Sequence, residues 1–222
     1  MKGFEEMDFK KYSIEEFIED LSSASPAPGG GSVAGLIAAL SGSLNSMVYS
    51  LTVNKKAFEE KDSDIKKTVL DFKEASSKFV KNSLNLMELD RKYFNELMDC
   101  YKLSKETDEE KKERSRKILQ ATLKAMKSPL DLCRECYKFY DNIDIAVEHG
   151  NKMLLSDAGC AAVLLHSAIE TSIINVKINL NSLREKDFAK GIEEEIIKIQ
   201  KESLKRKNSI MEQVNNSIYP CK

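Results

Sequence analysis

SASPAPGGGSVAGLIAALSGSLNSMVYSL, residues 23–51, sets two prolines and three consecutive glycines directly against an uncharged apolar run. From Leu21 to Asn54 there is no Asp, Glu, Lys or Arg, a span long enough to cross a bilayer. Its many serines, Asn45, Gly35 and Gly42, and the lack of flanking aromatic belts, argue against a membrane setting. Small residues recur at helical spacing instead: Gly35, Ala38, Ala39, Gly42 and Ser46, which lets another backbone come close. The stretch therefore predicts a helix from about Ser32 to Thr52, buried inside an oligomeric helical bundle.

Helical periodicity continues outward from this segment. Ser13-x-x-Glu16 is a capping box, with Tyr12 and Phe17 placed to staple it, so a short helix runs to about Ser22. Ile65, Val69, Phe72, Phe79, Leu86, Leu89, Phe94 and Leu97 keep mostly three- and four-residue spacing within a helix over about 63–103. Another is expected from about Asp108 to Met126, and Pro129 begins or kinks the next. GNKMLLSDAG (residues 150–159) is a second small-residue junction, where Ser156 or Asp157 is placed to cap a long apolar helix. Ile192, Ile196, Ile199, Leu204, Met211, Val214 and Ile218 form an amphipathic last helix. No strand alternation persists. The expected architecture is all-α: one domain, residues 1–222, a bundle with two buried apolar helices that associates as a homo-oligomer.

Composition narrows the function classes. Nine glycines, four prolines and 32 % charged residues suit a helical protein. A net charge of −1 gives no pull toward nucleic acid, and the basic run KKERSRK (111–117) reads as solvated helix surface. No apolar targeting segment is visible in MKGFEEMDFKK, which predicts a cytoplasmic protein with reduced thiols. Cys133-x-x-Cys136 lacks the strand or second pair that redox or zinc chemistry needs, and only two histidines exist, so no metal site is expected.

GGGSVAG is neither a Walker loop, since no GK[ST] follows, nor a dinucleotide fingerprint, since its spacing is wrong and no strand precedes it. Uncapped N–H groups at such a helix start suit an anionic or carbonyl-bearing ligand; a tight entry turn demanded by packing is the equal alternative. Taken alone, Asp157 reads as a helix cap, Asp90 as a surface acid, and Lys55 and Lys56 as cations at a negative helix end. His166, amid an apolar helix, reads as a core histidine.

Four stretches change this weighting: residues 25–56, from SPAPGGGSVAG to VNKK; DRKYFNELMDCYKLSK (90–105); ATLKAMKSPLDL (121–132); and residues 150–183, from GNKMLLSDAG to NLNSL. In this order they resemble the formiminotetrahydrofolate cyclodeaminase / methenyltetrahydrofolate cyclohydrolase family over nearly the whole chain. The resemblance implies a dimeric all-helical enzyme of one-carbon metabolism, acting on a tetrahydrofolate derivative without a metal or nucleotide. It implies a ligand cleft bordered by Gly29, Gly30, Gly31 and Ser32, with Asp90, Asp157 and Lys55 or Lys56 as proton-transfer groups. Two reactions are implied: cyclodeamination of the 5-formimino derivative to 5,10-methenyltetrahydrofolate, and interconversion of the methenyl and 10-formyl forms. Departures from the family pattern stand at Asn54, Tyr93 and Ser104. A helical oligomerisation module that has lost the chemistry is the non-enzymatic alternative.

Overall fold

The computed structural model describes residues 8–219, and every regular element among them is helical. Seven α-helices follow in order: α1 (Ile14–Leu21), α2 (Gly30–Val53), α3 (Lys56–Glu59), α4 (Ser63–Tyr101), α5 (Asp108–His149), α6 (Leu155–Asn181) and α7 (Ala189–Ile218). The capping box that opens α1 forms as expected between Ser13 and Glu16. Tyr12 and Phe17 both pack edge-on against Phe9, at 5.4 and 5.7 Å, so the staple runs through a third ring.

Two boundaries differ from the sequence expectation. α5 is continuous through Pro129, so no new helix begins there. An interior proline forfeits a helix hydrogen bond at a cost of about 3 kcal/mol. Here Ser128, Leu130, Leu132 and Cys133 around it are buried, and Ser128 Oγ donates to the Leu86 carbonyl at 3.0 Å. Packing against α4 holds the chain helical. Nor do Ser156 and Asp157 cap α6: the N-cap is Leu154, with no capping side chain, and Asp157 lies within the first turn. Asn151 caps a short 3-10 turn just upstream, which runs directly into α6 and moves its start back.

The long helices alternate in direction. Gly31 lies beside Asp90, Gly42 beside Phe79, and Asn45 beside Ser76, which makes α2 and α4 antiparallel. Asn175 lies beside Gly30, Ser41 Oγ donates to the Ala161 carbonyl, and the Asn151 N–H donates to Thr52, so α2 and α6 are also antiparallel. The small residues of α2 have the expected use. A Cβ on Gly35 would lie 2.8 Å from Met87 Cβ and 3.1 Å from the Ser83 carbonyl, so the two backbones nearly touch. Below them Asn45 Nδ2 donates to Asn142 Oδ1 at 2.7 Å, a fully buried amide pair that fixes helix register.

Within one chain the burial of α2 and α6 is one-sided. Their inner faces are sealed, but Leu40, Met47 and Leu51 on α2, and Val163, Ile174 and Ile178 on α6, are 37–66 % exposed. Both helices are apolar and long enough to cross a membrane by length and composition; 44 % and 56 % of their most apolar windows are buried inside the bundle.

Candidate functional site

The glycine turn opens onto a cavity of about 310 Å³, walled by the start of α2, the second half of α4, the middle of α5 and the end of α6. Gly29 is the N-cap of α2 and supplies no side-chain cap, so the first N–H groups of a 24-residue helix stay uncapped at its positive end. The apolar wall includes Phe94, Leu97 and Met98 of α4 and Ile178 of α6.

Asp90 stands at the centre of this arrangement. Its carboxyl packs where a Cβ on Gly31 would be: that atom would lie 2.2–2.4 Å from the carboxyl carbon and both oxygens. Only glycine leaves this space, and that answers why a flexible residue belongs against an apolar helix. Fully buried Ser32 donates to Asp90 Oδ2 across 3.4 Å. Burial pushes the carboxyl up to about 6 from 3.8, opposed by the Ser32 hydrogen bond. Read alone as a surface acid, Asp90 is instead a largely buried carboxyl facing a cavity. Neighbouring Arg91 borders the same space, but its guanidinium meets Glu88 at 3.1 Å and lies 4.4 Å over the Phe9 ring.

The expected cluster is divided. Gly29, Gly30, Gly31, Ser32 and Asp90 come together at the cavity. Asp157 does not join them: it precedes Asn175 by eighteen residues on α6, roughly 27 Å along the axis. Lys55 caps α3 and Lys56 begins it, both exposed, beyond the far end of α2 and roughly 35 Å from the glycines. The physical reason is the antiparallel pairing of α2 and α6, which puts the two junctions at opposite ends of one bundle. Within a single chain they share no cleft.

Two residues not singled out from sequence also border the cavity, Asn175 and Asn179. Their signal was a pair of amides four apart near the end of an apolar helix, hence on one face. The departures at Asn54, Tyr93 and Ser104 lie outside the lining: Asn54 ends α2, and Ser104 donates to Glu110 on the surface. His166 is a core histidine as expected, its Nδ1 3.0 Å from Ser203 Oγ. Cys133 and Cys136 are buried free thiols, with burial pushing Cys133 up to about 12. Cys221 lies outside the described residues. Among the described residues, no three His, Cys, Asp or Glu side chains are grouped to hold a metal.

A family model described as formiminotransferase-cyclodeaminase matches residues 13–198. A methenyltetrahydrofolate cyclohydrolase of Methylorubrum extorquens is 35 % identical over 177 residues, covering 80 % of this chain and 83 % of that protein. A formimidoyltransferase-cyclodeaminase of Rattus norvegicus is 30 % identical over 176 residues, covering 79 % of this chain but 32 % of that longer protein. The crystal structure of a formiminotetrahydrofolate cyclodeaminase from Thermotoga maritima superposes with a TM-score of 0.73 at 24 % identity, covering 94 % of this chain and 96 % of that one. At that identity the superposition speaks for the fold alone.

Proposed function

We propose that this chain, which belongs to the formiminotransferase-cyclodeaminase family, binds a tetrahydrofolate derivative in the Asp90 cavity and rearranges its one-carbon unit between N5 and N10. The observation that carries the reading is a carboxyl with its pKa near 6, held against a glycine turn at the head of a helix. Such a group is ionised at neutral pH yet basic enough to accept a proton, which suits a general base. The apolar wall suits a flat ring, and the uncapped N–H groups of α2 suit a ring carbonyl.

The reaction we assign first is cyclodeamination. N10 attacks the 5-formimino carbon and gives its proton to Asp90; the tetrahedral carbon then expels its amino group, which leaves protonated as ammonia. 5,10-Methenyltetrahydrofolate remains. A second reading, hydrolysis of the methenyl bridge, is favoured by the identity to the cyclohydrolase of similar length. There water adds to the bridging carbon, Asp90 takes its proton, and the bond to N5 breaks to leave the 10-formyl form. Both readings pass through a tetrahedral carbon bridging N5 and N10, bearing an amino group in the first and a hydroxyl in the second, and use the same base.

The second half of the machinery we assign to a second copy of the chain. The exposed stripes of α2 and α6 carry Leu40, Met47 and Leu51 beside Val163, Ile174 and Ile178, an apolar face suited to its own copy. A two-fold axis lying in that face across the helices sets the glycine end of one copy opposite the Asp157 and Lys55–Lys56 end of the other. Asp157, or one of the lysines, then serves as the acid for the departing nitrogen, which supplies the cleft that one chain lacks.

Purified protein given 5-formiminotetrahydrofolate is expected to release ammonia as methenyl absorbance grows. Given 5,10-methenyltetrahydrofolate, it is expected to accelerate loss of that absorbance if the second reading holds. Activity with neither substrate would defeat the folate reading and favour an oligomerisation module.

A further inference from the structure

We propose that Asn175 and Asn179 are binding residues that orient the ligand by accepting hydrogen bonds from the N–H-bearing edge of its pyrimidine ring. The inference rests on the folate reading above and deepens it. Both side chains border the cavity from α6, one helical turn apart, and Asn175 packs against Gly30 in the first turn of α2.

Their amides are already oriented. Asn175 Nδ2 donates to the Thr171 carbonyl at 2.8 Å, and Asn179 Nδ2 donates to the Asn175 carbonyl at 2.9 Å. An amide oxygen could not make either contact, since a carbonyl accepts only, so each flip state is settled by its partner. Each Oδ1 accepts no hydrogen bond from a described residue. The Asn175 amide packs against the bare Cα of Gly30, where a Cβ would lie 3.3 Å from Nδ2 and 3.6 Å from Oδ1. Glycine at this position thus leaves room for the amide, as Gly31 does for Asp90.

The antiparallel pairing gives the cavity two unlike walls. The head of α2 offers N–H donors; the end of α6 offers two amide oxygens, with its own terminal carbonyls at the negative end of that helix. A 2-amino-4-oxopyrimidine ring is complementary to this pair of walls: its carbonyl suits the donors, and its ring and exocyclic N–H groups suit the acceptors. A purely apolar ring of the same size would leave both walls unpaired. The amides therefore select for the amino-bearing ring and set which way round it lies, with Asp90 left for the proton transfer.

Titration calorimetry of the full chain with tetrahydrofolate and with its 2-deamino analogue, under reducing conditions, tests this. Wild type is expected to prefer the amino-bearing ligand at least about tenfold. The N175A/N179A variant is expected to bind tetrahydrofolate at least about tenfold more weakly and to lose that preference, with KM raised and kcat within about threefold. Should that variant fail to fold, the N175S/N179S variant is read for the same lost preference. A folded variant that keeps the wild-type preference would overturn the inference and leave the folate reading intact. Wild type that binds neither ligand would overturn both.

Discussion

Replacing Asp90 by Asn is expected to lower turnover at least about a hundredfold and, at the same time, to stabilise the fold above pH 6. The two effects share one cause. Burial raises the carboxyl to about 6 in the folded chain, while the unfolded chain titrates near the ordinary value of 3.8. Between these values the folded state binds the extra proton, so stability falls as pH rises through that window. Above it, the ionised carboxylate costs the fold on the order of 2 kcal/mol, after allowing for its partial exposure. Asn keeps the shape without the charge. Thermal melts should therefore place D90N about 4–8 °C above wild type at alkaline pH, with the gain vanishing as pH falls toward the unfolded value. In wild type, kcat/KM should fall on the acid side of about pH 6, where the base becomes protonated. Loss of activity together with loss of stability would mean that Asp90 is structural.

Gly31→Ala is expected to be the next most damaging change for its size. The added methyl would sit 2.2–2.4 Å from the Asp90 carboxyl atoms, so the carboxyl must move. Displacing a catalytic group by about 1 Å costs turnover roughly a hundredfold. Backbone conformation is no obstacle, because Gly31 lies inside α2 and no described glycine has positive φ. Alanine is also the better helix former there, by about 1 kcal/mol. The fold should thus tolerate a change that the reaction does not. Gly191→Ala on α7, where a Cβ would meet nothing within 4 Å, is the matched control and should leave turnover unaltered. Combining G31A with D90N should add little to the loss of D90N alone, because both act on one carboxyl. Additive losses would place the Gly31 effect elsewhere.

The helical pattern was legible because most of it is local. The Ser13–Glu16 box, the apolar spacing of α4 and α7, and the uncharged run of α2 all declare themselves within a few residues. The continuity of α5 through Pro129 was not legible, because burial against α4 sustains the helix there, a tertiary effect that outweighs local preference. Asp90 stands among Glu88, Arg91 and Lys92, and by composition looks like surface; only the resemblance to a family singled it out. What buries it is the close approach of α2 and α4 that Gly31 and Gly35 permit. Asn175 and Asn179 were overlooked for a related reason. Their role depends on which end of α6 meets which end of α2, and no periodicity encodes that. The same antiparallel pairing separates Asp157, Lys55 and Lys56 from the cavity, so the crevice expected between the two junctions needs a second chain.

That requirement can be examined with two inactive variants. Asp90→Asn and Asp157→Asn would each be purified alone and shown to be folded, then co-expressed in equal amounts. If each site draws Asp90 from one copy and Asp157 from the other, half of the dimers are mixed and half of the sites in these are intact. About a quarter of wild-type activity should then return. A co-expressed mixture no more active than the separate variants, although dimeric and freely mixed, would contradict a site shared between two copies.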